Sequence, residues 1–339
     1  MTNTAPKVSV IIPLYNAEAT IAASIRSVLD TAWTNLQIVV VDDASTDRGP
    51  DVVQKMFAAL NEEGCDCLLH LSKAGANRGP AASRNLGIGL ATGKYLAFLD
   101  ADDLYLPGRF DRAIDLLEAD SRLGAVFGIF RYELVSSDGR QQIRDISAKR
   151  ANEQGRLTAR DEHEKLLDQL LNGTIGLSTS TVTIRANVLR DLGMFPDVRF
   201  GEDQALWLRL LAVYPVQRVS KEPVSVYRIH EYSLCSRGQE QPEFIFGPIL
   251  SRIDAITWLK RKGGSDEAIK KIARTVPGRV FAKFGRARDG SRELQIFMLR
   301  LLIKCPTVYP GIILKWNYWS IMLRLVLLQF RQMLVFRSA

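Results

Sequence analysis

Four short apolar runs, each about 25 to 30 residues from the next, restrict this chain to few folds. They are Val8–Ile12, closed by Pro13; Leu36–Val41, closed by Asp42; Cys67–Leu71; and Lys94–Leu99, closed by Asp100. Apolar and β-branched with little alternation, they read as strands buried on both faces. Helical spacing fills Glu18–Leu29 and Pro80–Ala91, and another helix follows at Asp111–Leu117. Repeated strand–helix alternation predicts a parallel sheet with helices on both faces. Ser45 or Thr46 is placed to cap the helix after the second run, with Pro50 near its first turn. Past Gly124 the pattern changes. Ala125–Val135, Ser180–Ile184 and Val224–Ile229 read as strands, Gln204–Val213 as a helix, and the chain from Pro242 as mostly helical. Ser136–Arg160 carries many charges and no apolar period, so it reads as a mobile loop by the site or as a plain surface insertion.

Carboxylates collect where these elements end or begin. Asp42-Asp43 and Asp100-Ala101-Asp102-Asp103 follow two of the strands, and Glu202-Asp203 opens the Gln204–Val213 helix. The carboxyl ends of parallel strands form the rim where open α/β sheets bind ligands. Hard oxygen ligands there suit Mg2+ or Mn2+, which are held by one or two carboxylates plus substrate phosphates. Taken singly, each group has a bland reading: a solvated or capping turn for Asp100-x-Asp102, a strand-to-helix turn with Ser45 capping for Asp42-Asp43, a helix-dipole partner for Glu202-Asp203. Beside a metal site the last can instead supply a general base. Gly75–Gly87 is glycine-rich and enters a helix, but has neither GxGxxG nor GxxxxGK[ST] spacing, which excludes a dinucleotide fingerprint and a P-loop. Arg78 and Arg84 of this segment could face a nucleotide, and Arg84, one helical turn past Pro80, is the better placed.

The net charge of +8 is unevenly spread. From Leu294 to Ala339 there are six basic residues and no acid; without them 39 basic residues face 37 acidic ones. The body is near neutral and the tail is basic and apolar, a pattern that argues against nucleic acid as a partner. Cys65 and Cys67 lack the two-residue spacing of a zinc knuckle, and the four cysteines read as reduced structural thiols. The first residues lack the basic and long apolar regions of a signal peptide, so a cytoplasmic body is expected.

The segments VSVIIPLYN (Val8–Asn16), VVVDDASTD (Val39–Asp47), NRGPAASRNLG (Asn77–Gly87), YLAFLDADD (Tyr95–Asp103), GMFPDVRFGEDQALWLRL (Gly193–Leu210) and VYRIHEYS (Val226–Ser233) occur in this order. Together they resemble the inverting glycosyltransferases of family 2, of the bacterial polysaccharide or glycolipid type. The resemblance implies a GT-A fold: a Rossmann-like, mixed but mainly parallel sheet flanked by helices. It further implies a nucleotide-sugar donor and a glycan or lipid-linked acceptor. Pro13, Tyr15, Asp43 and Arg84 would surround the base, with Asp43 reading it, and Asp100 would lie toward the ribose. Asp102, with His230, would hold Mg2+ or Mn2+ against the diphosphate. Asp203 would be the catalytic base and Glu202 would shape the acceptor pocket. Two residues depart from the family pattern: Ala44 where glycine is common, and Cys235 where a second serine often follows the histidine. The competing reading is a catalytically silent nucleotide-sugar-binding or scaffold protein of the same fold. A nucleotidyltransferase would need a phosphate loop that VSVIIPLYN does not offer.

This reading divides the chain into a catalytic domain over residues 1–240 and a helical region over 241–339, and leaves oligomerisation open. Ile312–Phe336 is apolar but interrupted, with its longest charge-free stretch at Trp316–Leu323, far short of the ~20 residues of a spanning helix. Its aromatic, basic, acid-free pattern predicts a helix lying on an anionic membrane surface, which would place the protein on the inner face of the cell membrane. The alternative is a helix packed on protein.

Overall fold

A computed structural model describes residues 5–71, 76–135, 141–142, 162–198, 200–230, 241–289, 291–308 and 318–326. The chain forms two compact units, Met1–Ser236 and Arg237–Ala339.

In the first unit the strands β1 (Val8–Leu14), β2 (Leu36–Asp42), β3 (Asp66–Leu71) and β4 (Tyr95–Phe98) pair in parallel in the order β3-β2-β1-β4. The helices α1 (Ile21–Leu29), α2 (Gly49–Glu62) and α3 (Pro80–Leu90) connect them. Val8, Val10, Ile11, Ile12, Ile38, Val39 and Val40 are fully buried, as continuous apolar strands require. The mixed half follows: β5 (Leu104–Tyr105), α4 (Asp111–Ala119), β6 (Ala125–Val135), β7 (Gln141–Gln142), α5 (Glu162–Asn172), a 3-10 turn (Thr179–Thr181), β8 (Val182–Arg185), α6 (Ala186–Asp191), α7 (Glu202–Val213) and β9 (Val216–Ile229). Here β8 runs antiparallel to β4 and β6, β9 is parallel to β6, and β5 closes the edge antiparallel to β9. Within the expected loop Ser136–Arg160, Gln141–Gln142 forms a strand against β6, and the rest lies outside the described residues.

The capping expectation needs correction. The helix α2 starts at Gly49 without a side-chain cap from Ser45 or Thr46. Asp47 accepts the Gly49 N–H at 2.9 Å instead, while Ser45 Oγ and the Thr46 N–H are turned toward Asn16. Pairing with Asn16, one strand away, outcompetes a local cap.

Pro13 lies within β1, where a proline would ordinarily forfeit a ladder bond. The pairing of β1 with β4 ends at Ile11 opposite Phe98, with one further bond from Leu99 N–H to the Ile11 carbonyl. Pro13 therefore stands where β1 has already parted from β4. The order β3-β2-β1-β4 reverses at β1, and the two strands part at the switch point where open α/β sheets bind their ligands.

The second unit contains α8 (Pro242–Lys262), α9 (Asp266–Asp289), α10 (Arg292–Val308) and a helix α11 over 318–326. Among the described residues no helix is long and apolar enough to cross a membrane. Tyr318, Ile321 and Leu325 of α11 are buried, and Tyr318 Oη donates to the Leu302 carbonyl of α10 at 3.0 Å. Trp319 and Leu323, one turn apart, are 53% and 61% exposed. This stretch of the tail thus has one face packed on protein and one facing out. The remainder of Ile312–Phe336 lies outside the described residues.

Candidate active site

The loops after β1 and β2 are tied to each other. Asn16 N–H donates to Ser45 Oγ at 3.0 Å, and Asn16 Oδ1 accepts the Thr46 N–H at 2.7 Å. Asp42 is buried and accepts the Ser45 N–H at 3.2 Å, closing the turn. Ala44 in that turn has φ 62°, a left-handed conformation that costs about 1–2 kcal/mol for a residue with a Cβ. That is the physical reason a glycine suits this position. Tyr15, 49% exposed, follows directly on the end of β1, two residues past Pro13.

Asp43 is buried and both its oxygens are engaged. Oδ1 accepts the Arg78 N–H at 2.9 Å and Oδ2 the Gly79 N–H at 2.7 Å. Gly79 precedes Pro80 and has φ 89° and ψ 167°, a region open only to glycine, which lets the chain turn both N–H groups onto one carboxylate before α3 begins. Asp43 thus anchors the entry to α3.

The Asp100–Asp103 turn sends its three carboxylates to three places. Asp100 Oδ1 accepts from Arg84 at 2.6 Å. Asp102 Oδ2 lies 2.8 Å from His230 Nε2. Asp103, 1% exposed, accepts from Ser180 Oγ at 2.9 Å and from the Arg228 N–H at 3.0 Å. Burial, with Asp100 and Asp102 nearby, pushes the Asp103 carboxyl well above the usual range. The turn is also pinned from below, because Ser24 Oγ lies 2.9 and 2.8 Å from the Ala101 and Asp103 carbonyls. Asp103 stands in the sequence among the rim carboxylates, but its anchoring role with Ser180 and Arg228 escaped sequence reasoning. They hold the turn through long-range contacts, and no local spacing signals them.

Arg84 links this turn to the Glu202-Asp203 pair. Its side chain is 5% exposed and lies over the Phe195 ring at 5.4 Å. One guanidinium nitrogen reaches Asp100 and the other reaches Glu202 Oε1 at 2.9 Å, 118 residues away in sequence. Burial alone would lower the Arg84 pKa; Asp100 and Glu202 more than offset it and hold the group above its ordinary value. The next residue, Asn85, brackets Phe195, donating to its carbonyl at 2.8 Å and accepting its N–H at 3.0 Å. Arg209 of α7 is buried and donates to the Leu192 carbonyl at 2.9 Å. The loop before α7 is therefore clamped on both sides.

The helix α7 opens from Gly201, whose φ of 83° is left-handed. Glu202 is buried, and burial, then the neighbouring Asp203, pushes its carboxyl up to about 7 against the pull of Arg84. Asp203 is half-buried and its Oδ1 accepts the Gln204 N–H at 2.6 Å. Burial raises its carboxyl too, partly offset by that bond and by Arg84. The structure brings Arg84, Asp100, Glu202 and Asp203 into one charged network, and joins Asp102 to His230. Asp43 is held separately, at the entry to α3.

Asp102 and His230 offer a carboxylate oxygen and an imidazole nitrogen, both ligand types for a divalent cation. Their ligand atoms, 2.8 Å apart, match the roughly 3 Å edge of an octahedron with ~2.1 Å bonds. Both side chains are partly exposed, and no group of three or more acidic, histidine or cysteine residues converges among the described residues. Two protein ligands plus diphosphate oxygens and water is how Mg2+ and Mn2+ are commonly held, so the pair fits such an ion.

The family described as Glycosyl transferase family 2 matches residues 9–193, a span that ends before Glu202, Asp203 and His230. The chain is 31% identical over 236 residues to a putative teichuronic acid biosynthesis glycosyltransferase, TuaG, of Bacillus subtilis, covering 70% of this chain and 84% of that one. It spans about a third of the length of some other relatives it matches. Among solved structures, S. aureus TarS 1–349 in complex with UDP-GlcNAc has a TM-score of 0.65 at 19% identity, over 90% of this chain and 82% of that one. The mannosyltransferase PcManGT of Pyrobaculum calidifontis, in complex with GDP-Man and Mn2+, has a TM-score of 0.53 at 19% identity, over 96% and 87%. These structural likenesses bear out the GT-A fold.

Proposed function

We propose, for a chain that belongs to glycosyltransferase family 2, that it moves a sugar from a nucleotide-sugar donor to an acceptor hydroxyl by single displacement with inversion. The observation that carries this reading is the buried Arg84 bridge, which joins the strand-end aspartate Asp100 to the start of the Glu202-Asp203 helix. A donor seated in the crevice between β1 and β4 would meet Tyr15 and Pro13 on one side and Asp100 on the other. Asp43 lies on the base side, where its acceptor-only oxygens suit a base N–H.

Asp203 is the proton acceptor. It takes the proton of the acceptor hydroxyl as that oxygen attacks the anomeric carbon from the face opposite the nucleotide. Burial raises its basicity, and its bond to Gln204 fixes one oxygen so that the other meets the acceptor. Glu202, held by Arg84, walls the acceptor side. Asp102 and His230 would hold Mg2+ or Mn2+, which neutralises charge growing on the leaving diphosphate when bound.

Screening UDP-, GDP- and dTDP-sugars by thermal shift, with and without Mn2+, tests the donor half. One nucleotide class should stabilise the protein more with Mn2+ than with chelator, and His230→Ala should remove most of that difference. Equal shifts with metal and chelator would overturn the metal assignment; no shift with any donor would overturn the donor site.

The teichuronic acid biosynthesis named for TuaG, together with the basic, aromatic tail of this chain, supports an acceptor that is a lipid-linked or growing glycan, met on the inner face of the cell membrane. Trp319 and Leu323 offer an outward apolar pair beside Arg324. The full chain should bind phosphatidylglycerol vesicles more than phosphatidylcholine ones, and less so at high salt. Replacing both Trp319 and Leu323 with serine should weaken that binding several-fold. Undiminished binding by the double variant would exclude this face as the contact.

A further inference from the structure

At the far end of the sheet, Cys65 and Cys67 bring two thiols together at the start of the edge strand β3. Their sulfurs lie 2.9 Å apart, inside the ~3.5–4 Å of ordinary nonbonded heavy-atom contact. Extended backbone would separate residues i and i+2 by roughly 6.6 Å. Here it is bent instead: Cys67 N–H donates to the Cys65 carbonyl at 3.1 Å, a tight three-residue turn that follows Gly64 at φ 86°. The bend is held from outside. Asn61, at the end of α2, accepts the Cys67 N–H at 3.0 Å and donates to the Cys67 carbonyl at 3.2 Å, and Cys65 N–H donates to the Leu60 carbonyl at 2.9 Å. Cys65 is half-buried and reachable, whereas Cys67 is 9% exposed.

We propose that Cys65 and Cys67 form a reversible redox site, closing to an intramolecular disulfide by exchange with a low-molecular-weight disulfide such as oxidised glutathione. The Cys65 thiolate attacks one sulfur of the oxidant, forming a mixed disulfide and releasing one thiolate. Cys67 then attacks the Cys65 sulfur, closing the ring and releasing the second. The protein loses two electrons and two protons, and the oxidant leaves as two thiols. The order follows from the surroundings. Cys65 is the more accessible of the two sulfurs and meets the oxidant first, while burial, and then the adjacent Cys65, pushes the Cys67 thiol up and disfavours it as the first nucleophile. A ring closed across one intervening residue is strained, which makes the bond easy to reduce and its state dependent on the thiol pool.

The site is remote from the crevice. Cys67 pairs with Ile38 and Leu71 pairs with Asp42, so about 13 Å of strand separates the thiols from the rim. Closure should therefore leave the donor site intact.

The test uses the full chain equilibrated in glutathione mixtures from fully reduced to fully oxidised, quenched with acid, alkylated, digested and weighed. The peptide carrying both cysteines should lose both alkylations together and become lighter by two hydrogens in most molecules at the oxidised end. It should regain them when the pool is reduced. Cys67→Ser should stop at the glutathione mixed disulfide on Cys65. The proposal fails if both thiols of the natural chain still alkylate at the oxidised end, or if each carries its own glutathione.

Discussion

Replacing Arg84 with methionine should destabilise the first unit by about 3–5 kcal/mol, the usual cost of removing one partner from a buried charge network. The guanidinium is the cation the structure places among Asp100, Glu202 and Asp203, and its side chain is 5% exposed. Methionine fills much of the volume but leaves the carboxylates facing one another in a site that water reaches poorly. The loss should depend on pH. Glu202 is raised from 4.5 to about 7 in the folded protein, so between those values the folded state binds more protons than the unfolded one. Stability from this group is therefore greatest in acid and falls as pH rises through that window. Without Arg84 the window should extend upward, making the variant weakest in alkali. Urea unfolding of both proteins at about pH 5 and about pH 8 reads this directly. Arg84→Lys should fall between, because an ammonium cannot present two parallel donors to two carboxylates. Equal stability of the methionine variant and the natural chain in alkali would refute the bridging role.

Asp203→Asn should lower kcat by about 10²–10⁴, the range of a lost general base, while leaving the donor's thermal shift unchanged. Asparagine keeps the shape, and its side-chain oxygen can still accept the Gln204 N–H, so the fold has no reason to change. The natural enzyme should lose activity in acid as Asp203 takes up a proton. Because burial raises that carboxyl, the acid limb should lie above the ordinary aspartate value of about 3.9. The asparagine variant should lack the limb. Turnover within a few-fold of the natural chain would remove Asp203 from the proposed chemistry.

The parallel half of the fold was readable because burial on both faces imposes uninterrupted apolar runs, and βαβ connections impose their spacing. The mixed half was less so. Leu104–Tyr105 is a strand only because β9 lies beside it, and β9 begins at Val216, well before the Val224 suggested by its apolar end. The six-residue helix α6 is too short to announce itself, whereas α5 does carry a helical signal, Leu166, Leu167, Leu170 and Leu171 on one buried face, which went unread beside the charged stretch before it. The carboxylates stood out because acids directly after buried strands are conspicuous. Their partners did not. That Arg84 turns toward Asp100 and Glu202 depends on how α3 seats on the sheet, which local sequence does not encode. Likewise Asp103 looks like its neighbours in the sequence but is the one of three that is fully enclosed.

The single helix α3 touches both ends of the candidate site. At its entry Gly79 is bonded to Asp43, and five residues later Arg84 holds Glu202. Along the helix axis that is about 7.5 Å, set by backbone geometry rather than by side-chain choice. The helix thus serves as a ruler whose length cannot be tuned by ordinary substitution. Substitution can change the chemistry at either end, but the spacing between Gly79 and Arg84 is kept as long as α3 stays helical.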